Sequence, residues 1–328
     1  MSRKNGGIIG PANTPVGGLF TGVAGGVWRM NDVANFVSNS QWPTTPQSID
    51  NSCRFERSTT DYLSKTFGSG GNRKTATQSF WFKRSLLSTN MMLGLTNYPG
   101  GSYYGIQALT DDVLDIYLYY STSASAWQGR LKTNRKFRDI SSYYHFVLAW
   151  DTTQSTSSDR LKLYVNGVQE TSFSIATYPD QNQDLDWNNN IAHQIMSGGG
   201  GTFSGYLAEF VFIDGQQLTP SSFGETDSTT GIWKPKKINK IANAGTNSFY
   251  LDFKDSSNLG NDASGLNNDF AVTNLTSIDQ TTDTCVENFA NMSTLIPFNY
   301  NLTLSDGNLS ATGSQNQWQG ASSTMAIN

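Results

Sequence analysis

His145 and His193 are the two imidazoles of this 328-residue chain, so acid–base chemistry has few places to sit. His145 lies mid-strand among aromatic neighbours and reads as a packed side chain. His193, in "NNNIAHQIMSGGGG", reads as a surface residue. Neither falls into a Ser-His-Asp order, a nucleophile elbow or a zinc spacing. Hydrolysis of a glycosidic bond needs two carboxylates flanking that bond. The nearest approach is "LTDDVLDIYLYY", with Asp111, Asp112 and Asp115. Asp111 and Asp112 would point to opposite faces of a strand, so a turn is the better reading. No catalytic residue is assigned, and the chain reads as non-enzymatic.

Two binding chemistries remain. Trp187 stands beside Asp184, Asp186 and Asn188, close to the glycine run 198–201. An indole can stack on a sugar ring while short polar side chains meet its hydroxyls; a packing tryptophan is the alternative. The stretch "DSSNLGNDASGLNND" offers Asp255, Asn258, Asp262 and Asp269, hard oxygen donors of the kind Ca²⁺ takes. It lacks the EF-hand spacing, and Asx-rich loops make the same local turns without an ion. No other cofactor is called for.

Charged residues make up 15% of the chain and the formal net charge is -4, which gives no electrostatic footprint for nucleic acid. The run "KPKKINK" (Lys234 to Lys240) is either a phosphate or glycan contact or a solvated linker. Cys53 and Cys285 form no disulfide framework and no metal spacing. Pro11, Asn13 and Pro15 interrupt the apolar start before it becomes an export signal. No apolar run reaches the roughly eighteen residues that a membrane span needs. The expectation is a protein made in the cytosol that acts without secretion or membrane insertion.

Three regions must position these groups. Residues 1–48 are small, apolar and rich in Gly and Pro, and they cannot build a core. Ile8, Ile9, Leu19, Phe20, Val27 and Trp28 would be costly to leave in water, so the segment reads as a docking arm. "RMNDVANFVSNSQW" has the spacing of one short amphipathic helix. From 49 to 235, period-2 runs alternate with Gly/Ser/Asn turns. In "YYHFVLAWD", Phe146, Leu148 and Trp150 share one face and His145, Val147 and Ala149 the other. That pattern predicts an all-β, jelly-roll-like antiparallel β-sandwich. Residues 236–328 read as a small β-rich segment, with a hairpin around Asp306-Gly307 and one helical turn in "TCVENFANMSTLIPF".

"YYHFVLAWD", a polar loop and "RLKLYVNGVQETSF", followed by "FSGYLAEFVFIDGQQLTPSSF", resemble the central hairpin and closing strand of laminin-G-like, concanavalin A-like sandwiches. The flanks, "IIGPANTPV…GVAGGVWRMNDV…QWP" and "FYLDFKDSSNLGNDASGLNNDFAVTNL", resemble segments of structural and fibre proteins of marine tailed phages. The resemblance implies a virion protein that assembles in the host cytoplasm, of the tail-fibre or receptor-binding type. Capsid decoration or a head fibre is the alternative, and a polysaccharide depolymerase a further one. The partners it implies are other tail or capsid proteins, further copies of the chain in a homotrimer, and a host-surface glycan.

Overall fold

The computed structural model describes residues 49–97, 104–118, 120–121, 126–197, 201–236, 238, 241, 243–292, 302–305, 308–313 and 322–323. The arm, its expected helix and its six named apolar residues lie outside the described residues.

Two antiparallel sheets face each other. The first runs in the order Val168–Gln169, Leu161–Val165, Tyr144–Asp151, Thr75–Arg84, Gly205–Asp214, Ser52–Phe55 and Gln280–Thr281, and Phe249–Leu251 also pairs with Gly205–Asp214. The second runs Phe173–Thr177, Arg130–Lys136, Val113–Tyr117, Gly105–Ala108, Met91–Asn97, Ala192–Ile195, Tyr62–Thr66 and Ala271–Thr273. The alternation read from the sequence sets the faces. Phe146, Leu148 and Trp150 point inward with Phe80, Phe82, Phe210 and Phe212 from the first sheet. Leu63, Ile106, Ile116, Leu131 and Ile195 meet them from the second. Phe80 stacks on Phe146 and on Phe210, both at 4.9 Å between ring centres.

The outer face of the first sheet is buried too. Val147, Val211 and Ile213 pack under Phe223, Ile238 and Tyr250. Trp81, Tyr206 and Ala208 pack with Ile49 and Tyr143, against Trp233 and Cys285. Chain from beyond the strand 205–214 therefore covers this sheet, which is why its central strands carry large residues on both sides.

Part of the segment expected as a separate unit beyond 235 is integral to the sandwich. Phe249–Leu251 pairs with residues 210–212, Ala271–Thr273 with 62–64, and Gln280–Thr281 with 52–53. The boundary at 235 thus cuts across sheets that continue to 281. The hairpin 302–305/310–313 pairs as expected, although residues 306 and 307 lie outside the described set. Residues 284–292 carry bends and no helical turn, and the rest of the stretch expected to hold one, 293–298, lies outside the described residues. The described part of the basic run is accounted for at Lys234, which pairs with Asp227 at 2.9 Å. Cys53 and Cys285 are both free thiols. Among the described residues, no helix is long and apolar enough to cross a membrane.

The Asn166-Gly167 turn shows how local sequence and packing agree. Val165 pairs with Val168, and Asn166 and Gly167 take φ of 48° and 79°, the left-handed pair of a two-residue hairpin turn. Asn166 Oδ1 accepts the His145 backbone N–H at 2.8 Å. A Cβ on Gly167 would lie 2.4 Å from Cε3 of Trp233, so the indole rests on bare backbone. That indole donates to His145 Nδ1 at 2.9 Å, which leaves the Nε2 proton to reach Ser79 Oγ, also at 2.9 Å. Burial pushes the His145 pKa down to about 3. It is a neutral structural bridge, packed as expected.

Candidate functional site

The residues singled out around Trp187 do not form a surface site. Trp187 is 1% exposed and packs edge-on against His193 (4.7 Å) and Phe212 (6.1 Å), with Tyr104 tilted against it at 4.8 Å. Its ring belongs to the core and offers no face to a sugar. Asp186 is buried as well; burial pushes its pKa up to about 6, opposed by Arg73 at 3.6 Å. Asn188 (φ 72°) ties loops together: its Nδ2 donates to Asp214 Oδ1 at 2.7 Å, and its Oδ1 accepts from Asn247 at 2.8 Å. Asp184 alone of the four is exposed.

His193 is corrected at the same place. It sits on the strand Ala192–Ile195, fully buried, where Nδ1–H donates to the Ile191 carbonyl at 2.7 Å and Nε2 accepts the Asn188 N–H at 3.0 Å. Burial lowers its pKa to about 4.

The oxygen-rich loop 255–269 spends its acceptors on its own backbone. Asp262 receives N–H groups from Tyr250, Ser264 and Asn268 at 2.8–2.9 Å. Asp269 Oδ1 accepts from Asp262 N at 2.8 Å, Asp255 from Ser257, and Asn258 Oδ1 from Gly260. Among the described residues, no three His, Cys, Asp or Glu side chains gather as a metal site would require. These are Asx turns, and the expected Ca²⁺ set of Asp255, Asn258, Asp262 and Asp269 is not assembled.

The structure instead draws attention to the outer face of the second sheet. Strand register places Lys132, Asp115, Gln107 and Met92 in one row across it. The next row holds Arg130, Tyr117, Gly105, Leu95, Gln194 and Ser64. Tyr117, Gln107, Arg130, Lys132, Gln194 and Ser64 are half-buried, unlike the covered face opposite. Gly105 is what lets Tyr117 lie down: a Cβ there would be 2.3 Å from Cε2 of that ring. The Tyr117 ring tilts at 50° to that of Trp127, 4.8 Å away. Beside them Arg130 grips Asp115 with two bonds, Nε to Oδ1 at 2.9 Å and Nη2 to Oδ2 at 2.6 Å. The bidentate clasp fixes the guanidinium plane in the sheet face.

Chemically this is a surface of two angled aromatic rings bordered by amides and an oriented guanidinium. Apolar ring faces and planar polar groups of that kind suit the alternating C–H and hydroxyl faces of a sugar. Asp115 is the one carboxylate in the two rows among the described residues, and Arg130 occupies both its oxygens. Acid and base cannot both be supplied from these rows.

The model of the concanavalin A-like lectin/glucanases superfamily matches residues 57–222, half of the chain. The chain belongs to that superfamily. Its lectin-like domain thus contains both rows of the outer face. No curated protein matches the sequence. Among solved structures, it is similar to a putative carbohydrate binding protein from Bacteroides ovatus, at 15% identity and TM-score 0.46, covering 74% of this chain and 61% of that one. A heptameric SAP-like pentraxin from Limulus polyphemus is 14% identical at TM-score 0.39, covering 60% and 91%. Tailspike protein 2 of the Escherichia coli O157:H7 bacteriophage CAB120 is 10% identical at TM-score 0.37, covering 55% and 25%.

Of the two readings open for Trp187, the structure shows the packing one. A period-2 reading of "VLDIY" against "RLK" carried the usable signal, because Asp115, Tyr117, Arg130 and Lys132 alternate with the core residues Leu114, Ile116 and Leu131.

Proposed function

We propose that this protein is a non-enzymatic, lectin-like structural component of a tailed-phage particle, of the tail-fibre or receptor-binding type, and that it holds a host-surface glycan on the outer face of its second sheet. The observation that carries the glycan reading is the half-open face bearing Tyr117 and Trp127 beside the Arg130–Asp115 clasp, in a domain of the lectin superfamily. Membership of the particle rests on the resemblance of the flanks to phage fibre proteins.

Glycan arrays with the full chain test the site. Tyr117→Ala and Trp127→Ala should each weaken binding about tenfold, the equivalent of about 1.4 kcal/mol for a lost stacking surface. Trp187→Phe, a substitution inside the core, should leave the affinity of folded protein unchanged. A blank array for the wild type, or binding that survives both outer-face substitutions, ends this reading.

The arm carries the assembly half of the proposal. Several copies wrapped together would bury its apolar residues, whereas a lone arm would order many glycines at about 1–2 kcal/mol per residue with little to offset that. The full chain is expected to be a trimer, in which avidity strengthens a weak sugar contact. Deleting residues 1–48 should give a folded monomer that no longer joins particles. Normal incorporation of the deleted protein would refute the anchoring role. A density map of the whole virion that places the chain on the capsid would select the decoration or head-fibre reading instead.

A further inference from the structure

Lys83, near the end of the central strand Thr75–Arg84, has no solvent exposure. Its Nζ lies 2.5 Å from Asp283 Oδ2 and 2.8 Å from Asn288 Oδ1, two residues 200 and 205 positions away in sequence. The rings of Tyr143 and Tyr206 close the pocket at 5.1 and 4.7 Å from Nζ. Both acceptors are held in place. The Asp283 carbonyl receives Ser52 Oγ–H at 2.5 Å and Tyr143 O–H at 2.6 Å, and its Oδ1 takes the Phe289 N–H at 3.3 Å. Thr284 closes the turn between Asp283 and Asn288, its N–H donating to the Glu287 carbonyl at 2.9 Å and its Oγ1 accepting the Glu287 N–H at 3.1 Å. Asn288 Nδ2 donates to the Ser141 carbonyl.

An amine, an amide carbonyl and a carboxyl group that touches the amine thus converge in an aromatic-walled pocket, buried at Lys83 and Asp283 and half-buried at Asn288. We propose that Lys83 and Asn288 join in an intramolecular isopeptide bond, with Asp283 as the proton relay. Asp283 takes a proton from the Lys83 ammonium, and the freed amine attacks Cγ of Asn288. A bond forms between Nζ and Cγ while the bond from Cγ to Nδ2 breaks. Asp283 passes its proton to the departing nitrogen, and then relays the second proton that Nζ sheds as the amide forms. The lysine enters as an ammonium group and an ammonium ion leaves, so atoms and charge balance and nothing is oxidised. Holding the reacting groups in contact supplies the proximity that such an acyl transfer lacks in solution. The environment helps: burial pushes Lys83 down and Asp283 up, each only partly offset by the other, which favours the neutral amine and protonated carboxyl that the reaction passes through. The bond would pin residues 283–288 across the outer face of the first sheet.

The test is the mass of the purified full chain under denaturing conditions, followed by a proteolytic map. The expected result is a mass below that of the sequence by one ammonia, and a branched peptide joining Lys83 to Asn288. Lys83→Arg, which keeps the charge, and Asp283→Asn should both return to full sequence mass. Folded wild-type protein at full mass after prolonged incubation overturns the proposal. So does loss of one water with a branch from Lys83 to Asp283. Loss of ammonia that maps to Asn166, where an Asn-Gly step can form a cyclic imide, also overturns it if no branched peptide is found.

Discussion

Asp283→Ala is expected to strand the Lys83 ammonium, at a cost of about 3–5 kcal/mol relative to the buried ion pair of the chain before any cross-link forms. Lys83 and Asp283 are 0% and 2% exposed at the side chain and meet at 2.5 Å. Without the carboxylate, the buried ammonium keeps the Asn288 carbonyl oxygen, two ring faces and the more distant charge of Asp139. Replacing both charges removes the mismatch, because an apolar side chain of similar volume suits this pocket. The double variant Lys83→Met/Asp283→Ala should therefore recover about 3 kcal/mol relative to Asp283→Ala alone. Neither variant can form the proposed cross-link, so their difference reports the stranded charge and nothing else. Urea unfolding measures it, with similar slopes indicating that the surface exposed on unfolding is unchanged. A double variant no more stable than the single one would show that the ammonium tolerates its isolation.

That pair also marks the limit of what the sequence could tell. The hairpin was legible because its information is local. Alternation in "HFVLAW" assigns the core face, and Asn166-Gly167 specifies its turn within two residues. The strands Met91–Asn97 and Arg130–Lys136 were not, since register shifts at Met92/Gly94 and Val113/Asp115 disturb the pairing around them and half of each open face is polar. Trp187 stayed open between stacking and packing for a different reason. Its burial is decided by Tyr104, His193 and Phe212, which long-range pairing brings together and which no local pattern announces. The loop 255–269 shows the converse, where a composition that suits a cation is used up by backbone N–H groups. The candidate face lay between these cases. Its residues alternate visibly with core positions, but that Arg130 meets Asp115 and Tyr117 meets Trp127 follows from register and turn geometry.

Glu209→Gln should make the protein more stable, by an amount that grows as pH rises from about 5 to about 8. Glu209 lies on the central strand Gly205–Asp214, at the register shift between Ala208 and Val211, with φ of 50°. It is 5% exposed, and its Oε1 accepts the Tyr250 hydroxyl at 3.4 Å. Burial raises its pKa to about 8, with Asp252 adding to the rise and the Tyr250 bond opposing it. The nearby thiol of Cys285 also feels Glu209 and is raised, first by its own burial. The sign follows from proton counting. Between the unfolded pKa near 4.5 and the folded value near 8, the folded chain holds a proton that the unfolded chain has released. Stability therefore falls with rising pH across that window and levels off above it. Each pH unit of that window costs about 1.4 kcal/mol, so the full effect is a few kcal/mol. Glutamine keeps the shape and can still accept from Tyr250, but has no proton to lose. The gap between the urea midpoints of the two proteins should thus be smallest at or below about pH 4 and widen toward pH 8, the wild type falling. Other buried acids such as Asp186 are common to both and cancel in the difference. A gap between the two that stays constant with pH would mean that Glu209 ionises as freely in the fold as in the unfolded chain.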